Sequence, residues 1–338
     1  MTGNITMPLV SVVIPLYQTE RFISAAIGSV LAQSFTDFEV LVVDDGSRDQ
    51  GPSIAASFGD PRVRVITQAN RGLAGARNTG IRNARGTFVA LLDADDLWHP
   101  KKLELHVAQL VQNPQIGVSF SVSRLVDEDG RDIGLLQRPL SMTFDASHVF
   151  CRNPIGNGSV PVLRKAAFDD IAFFDKDLGR TCWFDESFRQ TEDVECWTRI
   201  IATTHWQFGF IDQTLTDYRV NKQGLSANVA AQLATWRRFR AKVAGYAPEL
   251  EARCGKRAES YQLRYLARRA VRSGESATAL RLICETLKLY PMILREEPMR
   301  TVSTLIAAAI RSMLPGSLFD RVEKAAIKVA KAVPGLRI

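Results

Sequence analysis

Short apolar runs alternate with helical patterns through the first part of the chain, and this alternation constrains the fold most strongly. Residues 9–15 ("LVSVVIP"), 38–46, 63–66 and 87–93 are such runs. Their continuous apolar character is typical of strands that are buried on both faces of a parallel sheet. Apolar residues at helical spacing follow the first run and recur over 73–84. The pattern predicts an α/β fold with a doubly wound, mainly parallel sheet.

The second part of the chain has a different pattern. Four runs, "IGVSFSV", "GSVPVL", "WQFGFI" and "TLTDYRV", are predicted strands of a mixed sheet, and residues 192–202 are a predicted helix. From residue 226 onward, helical patterns replace the strands. We therefore predict one α/β domain over 1–225, with halves at about 9–116 and 117–225, and a helical region over 226–338.

Charge and cysteine content narrow the class of protein. The net charge of +7 is uneven: residues 237–272 hold eleven Lys or Arg and three Glu, whereas residues 1–236 are acidic. This distribution argues against a protein that binds nucleic acid over its whole surface. The five cysteines lack the close spacing of zinc sites or small disulfide scaffolds. With no pattern of a secretory signal at the N-terminus, a reducing cytoplasmic location is expected.

Two acidic clusters follow predicted strands. Asp44 and Asp45 close the second strand, and Asp93, Asp95 and Asp96 close the fourth. Ligands bind outside the carboxyl ends of the strands in such sheets, so both clusters fall where a binding site is expected. Burial and mutual repulsion disfavour crowded carboxylates unless a cation lies among them. A divalent metal is one interpretation, and a solvated or helix-capping turn is the other.

Three longer stretches resemble a known family. They are "VSVVIPLYQTERFISAAIGSVLAQSFTDFEVLVVDDGSRD", "NRGLAGARNTGIRNARGTFVALLDADDLWHPKKLE" and "FDESFRQTEDVECWTRI". Together they resemble inverting family 2 glycosyltransferases of the GT-A fold, such as those of bacterial surface-polysaccharide and cell-envelope synthesis. The resemblance covers roughly residues 9–222. It implies a nucleotide-binding donor half, a mixed acceptor half and a helical C-terminal extension.

The implied activity is that of a hexosyltransferase. A sugar would pass from a nucleotide-diphosphate sugar, UDP-linked as first expectation, to a hydroxyl of a lipid-linked or polysaccharide glycan. Two alternatives stay open: a degenerate nucleotide-binding or scaffold protein of the same fold, and a nucleotidyltransferase. The last would carry a glycine-rich, lysine-bearing phosphate loop after the first strand, and "PLYQTERF" is not one.

The resemblance assigns the metal site to the cluster after the fourth strand. Asp93-Ala94-Asp95 matches the family's DxD element. Asp95 is the expected direct ligand of Mn²⁺ or Mg²⁺, and Asp93 is a second ligand or orients the first. Asp96 would also orient the ligand or bind the ribose. Carboxylate oxygens suit such hard cations, which can bridge protein and phosphates.

The same resemblance assigns the nucleoside site to the first two strands. Asp45, supported by Asp44, is expected to accept a hydrogen bond from the base. Pro15 and Tyr17 end the first strand, where the tyrosine can lie against the base. Glu20 is expected to reach the ribose.

Three basic residues are candidates for phosphate contact. Arg77 faces either a phosphate or, as a structural ion pair, Asp93 or Asp44. Arg219 and Lys222 contact the pyrophosphate or are solvated loop charges.

Catalysis is expected at the start of the helix over 192–202. By resemblance Asp193 is the general base that removes the acceptor's proton, and Glu192 is its neighbour or an acceptor contact. Without the resemblance, acids in a first helical turn need no role beyond the helix dipole. Trp197 either flanks the acceptor or belongs to the core.

The C-terminal region carries an apolar stripe followed by basic residues. It either contacts the inner face of the cell membrane peripherally or packs on the catalytic domain. The stripe comprises Val302, Leu305, Ile306, Ala309, Ile310 and Met313, and the basic residues are Arg321, Lys324, Lys328 and Lys331.

Overall fold

The computed structural model describes residues 7–220 and 229–313. Within them, residues 7–149 and 153–220 form one compact unit, and residues 150–152 and 229–313 form a second. Lys222 and the basic residues from 321 onward lie outside the described residues.

The first unit is built on a mixed β-sheet. Its strands are β1 (Val10–Leu16), β2 (Phe38–Asp44), β3 (Val63–Thr67), β4 (Phe88–Leu91), β5 (Leu97–Trp98), β6 (Ile116–Val126), β7 (Asp132–Gln137), β8 (Val162–Arg164) and β11 (Gln207–Arg219), with β9 (Phe173–Asp175) and β10 (Arg180–Cys182) as a separate hairpin. The order is β3-β2-β1-β4-β8-β6-β11-β5, and β7 pairs with β6. Strands β1 to β4 run parallel, whereas β8 is antiparallel to both neighbours. The predicted parallel first half and mixed second half are confirmed.

Helices cover both faces of this sheet. They are α1 (Glu20–Leu31), α2 (Gly51–Ala56), α3 (Gly72–Asn83), α4 (Lys102–Gln112), α5 (Ala146–Cys151), α6 (Lys165–Asp169) and α7 (Glu192–Thr203). Successive strand residues point to opposite faces. Val13 accordingly lies in a core with residues of α3 and α7, while Val12 and Ile14 lie in another with residues of α1 and α4. The apolar runs of β1, β2 and β4 are continuous because both faces of these strands are buried. The prediction is wrong for β3, which has no buried residue.

One predicted boundary is wrong. The runs over 206–211 and 214–220 form the single strand β11 rather than two strands. Its register against β6 shifts between Ile211 and Thr214 and again before Thr216. Such bulges absorb extra residues without ending a strand. The polar residues Asp212 and Gln213 therefore interrupt the apolar pattern but not the strand.

The second unit is helical, as predicted. Its helices are α8 (Val229–Tyr246), α9 (Pro248–Arg272), α10 (Ser276–Leu289), α11 (Ile293–Glu296) and α12 (Pro298–Met313). Several arginines of the basic block pair with glutamates of the same unit: Arg237 with Glu259, Arg240 with Glu251 and Arg264 with Glu297. No helix within residues 7–220 and 229–313 is both long and apolar enough to cross a bilayer.

Helix α12 buries and exposes different residues from those that its sequence predicts. Thr301, Thr304 and Ala308 form its buried face. The apolar side chains of Val302, Ile306 and Met313 are exposed, although Leu305 and Ile310 pack partly against the core of this unit. Part of the predicted stripe is thus an exposed apolar surface.

Candidate active site

The acidic turn after β4 is anchored by its last aspartate. Asp96 is only 1% exposed. Its Oδ2 accepts a hydrogen bond from Ser159 Oγ, and its Oδ1 accepts one from the backbone N–H of Arg219 at 2.8 Å. Ser159 Oγ in turn accepts from the N–H of Asp93 at 2.9 Å. Both carboxylate oxygens of Asp96 therefore hold the turn that carries Asp95, which supports the orienting alternative over a ribose contact.

Asp95 and Asp93 leave carboxylate oxygens toward the site. Burial, and next the neighbouring Asp93, raise the pKa of Asp95 to about 6. Asp95 forms no ion pair within the described residues. In the same part of the chain, no three His, Cys, Asp or Glu side chains are grouped as a complete metal site. One or two carboxylates suffice where substrate phosphates supply further ligands, so this pair fits a divalent cation shared with a diphosphate.

Arg77 links the acidic turn to the start of α7. The side chain is 1% exposed, and its Nη2 donates to Asp93 Oδ1 at 2.8 Å while Nη1 donates to Glu192 Oε1 at 3.0 Å. Burial opposes its charge, but the two carboxylates outweigh this effect and raise the pKa of Arg77. Of the predicted alternatives, the ion pair with Asp93 is the one present, and Asp44 is not its partner.

Helix α7 begins with the two acidic residues. Thr191 precedes them in a left-handed conformation, with φ of 70°. Burial, and next Asp193, raise the pKa of the buried Glu192 to about 7. Asp193 is partly exposed, its Oδ1 accepts from the N–H of Val194 at 2.8 Å, and burial raises its pKa despite the opposing charge of Arg77. A carboxylate with a raised pKa is better suited to remove a proton near neutral pH.

Trp197 belongs to the core. It is 0% exposed and meets the ring of Phe184 edge-on, with ring centroids 5.8 Å apart. Of the two predicted alternatives for Trp197, the core position is the one present.

The carboxylates of Asp44 and Asp45 at the end of β2 differ in how many hydrogen bonds they accept. Asp45 Oδ1 accepts from Gln68 Nε2 and the N–H of Arg71, and its Oδ2 accepts from the N–H of Gly72 at 2.7 Å. Asp44 Oδ1 accepts from the N–H of Ser47, while its Oδ2 has no hydrogen bond within residues 7–220 and 229–313. Asp45 thus holds the 68–72 loop, Asp44 has an available oxygen, and the base contact of this pair stays a prediction.

The end of β1 presents one open aromatic side chain. Tyr17 is 51% exposed, whereas Pro15 is buried opposite Val43 of β2. Glu20 Oε2 accepts from the N–H of Gln50 at 2.8 Å, and its own N–H donates to Asp49 Oδ2. Glu20 is thus exposed at the sheet edge but already ties α1 to the turn before α2.

Arg219 is held by backbone carbonyls. Its Nε donates to the carbonyl of Asp95 at 2.8 Å, and its Nη1 donates to the carbonyls of Asp127 and Glu128. It is therefore not a solvated loop charge, and its pyrophosphate contact stays a prediction.

Two supporting residues were not predicted. Asn78 Oδ1 accepts from the N–H groups of Trp183 and Phe184, and its Nδ2 donates to the carbonyl of Phe184 at 2.8 Å. Ser159 joins the acidic turn as described above. The "GARN" segment could have drawn attention to Asn78, but nothing near Ser159 in the sequence indicates its role.

The chain is similar to known glycosyltransferases in sequence. The sequence model described as "Glycosyl transferase family 2" matches residues 11–172. The chain is 31% identical over 232 residues to the UDP-Glc:alpha-D-GlcNAc-diphosphoundecaprenol beta-1,3-glucosyltransferase WfgD of Escherichia coli, covering 67% of this chain and 82% of that protein. For two further curated relatives, from Rickettsia prowazekii and Rickettsia typhi, the aligned region spans 62% of this chain and 63% of each relative at 28% identity.

Solved structures share the fold. TarS 1–349 of S. aureus in complex with UDP-GlcNAc has a TM-score of 0.60 at 18% identity, with 88% of both chains covered. The mannosyltransferase PcManGT of Pyrobaculum calidifontis, in complex with GDP-Man and Mn²⁺, has a TM-score of 0.55 at 22% identity, covering 91% of this chain and 88% of that one. The GT-A type fold with a helical C-terminal region is thereby confirmed. The fold and site define a glycosyltransferase. The chain belongs to the family 2 glycosyltransferases.

Proposed function

We propose that the protein is a metal-dependent, inverting glycosyltransferase that moves a sugar from a UDP-linked donor to a hydroxyl of a lipid-linked or polysaccharide glycan. The observation that carries the proposal is the pairing of one buried guanidinium, Arg77, with both Asp93 and Glu192. The donor and acceptor classes are supported by the names of WfgD, which uses UDP-Glc and a diphosphoundecaprenol-linked sugar, and of the TarS complex with UDP-GlcNAc.

Asp95, with the second oxygen of Asp93, would hold Mn²⁺ or Mg²⁺. The raised pKa of Asp95 supports this assignment, since a cation would relieve the crowding, as does the Mn²⁺ in the complex of PcManGT. When bound, the cation supplies positive charge to the departing diphosphate. Arg77 keeps Asp93 in place for this role from the protein side.

Asp193 acts as the base in this proposal. It removes the proton of the acceptor hydroxyl as the oxygen attacks the anomeric carbon, while the bond to the diphosphate breaks on the opposite face. Glu192 holds α7 against Arg77. On the nucleoside side, Asp44 accepts from the base and the exposed ring of Tyr17 lies against it, with Glu20 near the ribose.

Transfer assays with substituted proteins test this proposal. UDP-Glc and UDP-GlcNAc serve as donors with a GlcNAc-diphosphoryl lipid as acceptor. We expect Asp95→Ala and Asp193→Ala each to lower kcat by at least about 100-fold with an unchanged unfolding midpoint. Asp169→Asn is the matched control, since this exposed carboxylate pairs with Lys165 on the same short helix. Unchanged transfer in Asp193→Ala would contradict the base assignment.

We also propose peripheral contact with the inner face of the cell membrane. The exposed Val302, Ile306 and Met313 of α12 support it, and basic residues follow in the sequence. The protein should float with phosphatidylglycerol vesicles but not with phosphatidylcholine vesicles. Replacing Val302 and Ile306 by Asn should abolish flotation, whereas Ser303→Asn on the exposed side of the same helix should not. Equal flotation of all three proteins would contradict this contact.

A further inference from the structure

Arg219, the last residue of β11, joins three separate segments. Its backbone N–H donates to Asp96 Oδ1 at 2.8 Å, and its Nε donates to the carbonyl of Asp95 at 2.8 Å. Its Nη1 donates to the carbonyls of Asp127 at 3.0 Å and Glu128 at 2.7 Å. The guanidinium also lies 4.7 Å from the centre of the Phe22 ring in α1.

The side-chain hydrogen bonds of Arg219 go to backbone carbonyl oxygens. The side chain is buried, and its guanidinium is enclosed by the acidic turn, the turn at 127–128 and Phe22. A guanidinium carries its donors in a fixed planar fork, so it can bind carbonyls of two segments at once in one geometry. A lysine ammonium on a flexible stem holds no such geometry.

The direction of the Asp95 carboxylate follows from the backbone that bears it. The neighbouring Asp96 is fixed by Ser159 and by the N–H of Arg219, and the carbonyl of Asp95 itself is fixed by Arg219 Nε. One residue therefore holds both the peptide carbonyl of Asp95 and the side chain of Asp96. The carboxylate of Asp95 stays partly exposed beyond these bonds.

We propose that Arg219 is a positioning residue, which fixes Asp95 in the direction required for binding the divalent cation. The inference rests on the proposed function, because it takes Asp95 as a metal ligand. Groups that orient metal ligands typically contribute about 10- to 100-fold to metal affinity or activity.

The test measures Mn²⁺ affinity directly, by the electron paramagnetic resonance signal of free Mn²⁺ in the presence of UDP. Arg219→Lys should weaken Mn²⁺ binding by about 10- to 100-fold. In transfer assays the half-saturating Mn²⁺ concentration should rise by a similar factor, with little change in acceptor KM. Arg124→Lys is the matched control, because Arg124 makes a bidentate pair with Asp217 on the same strand but does not contact the acidic turn.

The outcomes separate this inference from the proposed function. If the wild type binds no Mn²⁺ with UDP, the metal assignment fails and the inference with it. If the wild type binds Mn²⁺ and Asp95→Ala does not, but Arg219→Lys binds within about threefold of the wild type, the positioning role alone is overturned. Should Arg219→Lys not fold, Phe22→Leu replaces it. Removal of the supporting ring should then weaken Mn²⁺ binding, and wild-type affinity would overturn the inference.

Discussion

Arg77 carries its charge inside the protein, where an unpaired guanidinium or carboxylate is costly. Removing it as Arg77→Met should lower the free energy of unfolding by about 3–5 kcal/mol, because Asp93 and Glu192 would then be left without their counter-charge. Urea unfolding monitored by circular dichroism measures this. Arg138→Met is the control: its pair with Asp212 is exposed and should contribute less than about 1 kcal/mol. Equal losses in the two variants would argue against a buried bridge.

The proposed role of Asp193 as a base can be tested by the pH dependence of kcat. Burial raises its pKa, so the carboxylate should take up a proton at a higher pH than the usual aspartate value of about 4. If Asp193 is the base, kcat should fall as the pH falls through this raised pKa. Because the pKa of Asp193 is raised in the folded protein, the folded state favours the protonated form. The contribution of Asp193 to the free energy of unfolding should therefore fall as the pH rises through this pKa. A kcat that stays level down to about pH 4, in protein that remains folded, would rule out this role.

The sequence predicts the residue types of the site better than their tasks. Asp95 lies in the turn after β4 and Asp193 lies in the first turn of α7, as the sequence predicts. Their roles stay predictions. Asp45 and Asp96 were assigned to ligands, yet their oxygens are used by the 68–72 loop and by Ser159. Local patterns show that a carboxylate follows a strand, but its partners come from distant segments that only the folded chain brings near.

Elements buried on both faces are the easiest to predict. Strands β1, β2 and β4 and helix α3 lie within one or two residues of the predicted runs, because burial on both faces of the strands leaves a continuous apolar pattern. Strand β3 lies as close to its run, although none of its residues is buried. The short β5 was not predicted: it has only Leu97 and Trp98, and it exists because β11 pairs with it. A two-residue strand has no periodicity of its own.

Two helical glycines give a matched test of packing. An added Cβ at Gly80 of α3 would lie 2.1 Å from Val13 Cγ1 of β1, whereas at Gly28 of α1 it would meet nothing within 4 Å. We expect Gly80→Ala to destabilise the protein by about 1–3 kcal/mol through overpacking. Gly28→Ala should instead stabilise it by about 0.5–1 kcal/mol through helix propensity. Urea unfolding of both variants measures the difference, and stabilisation in both would mean that α3 does not pack closely on β1.

Binding of the donor should be visible in the stability of the whole molecule. At about 100 times its dissociation constant, UDP with Mn²⁺ should add about 2.7 kcal/mol to the free energy of unfolding. Thermal unfolding with UDP, GDP, dTDP or CMP, each with Mn²⁺ or EDTA, measures this. We expect the UDP effect to disappear with EDTA and in Asp95→Ala. Stabilisation by GDP but not UDP would retain the donor site and change its base.

In the whole molecule, ion pairs that composition alone does not show involve part of the unevenly distributed charge. The basic block over 237–272 suggests a positive surface, yet Arg237, Arg240 and Arg264 pair with glutamates inside the helical unit. Glu251 and Glu259 belong to this block, whereas Glu297 lies outside it and offsets one charge of the surplus. These arginines are thus held in ion pairs, which net charge alone does not show.

The hydrogen bonds of Asn78 bear on how this enzyme could be diversified. Its amide binds main-chain groups of Trp183 and Phe184, which a segment of almost any composition would offer in the same conformation, and its Nδ2 also donates to Glu186 Oε1 at 3.0 Å. Recombination between relatives could therefore exchange other side chains after Phe184 while Glu186 and the splice point stay fixed. A chimera that keeps Asn78, Arg77 and Glu192 would keep the bonds that connect α3 to Phe184 and to α7. Its new acceptor preference could then be selected without a change in the sheet.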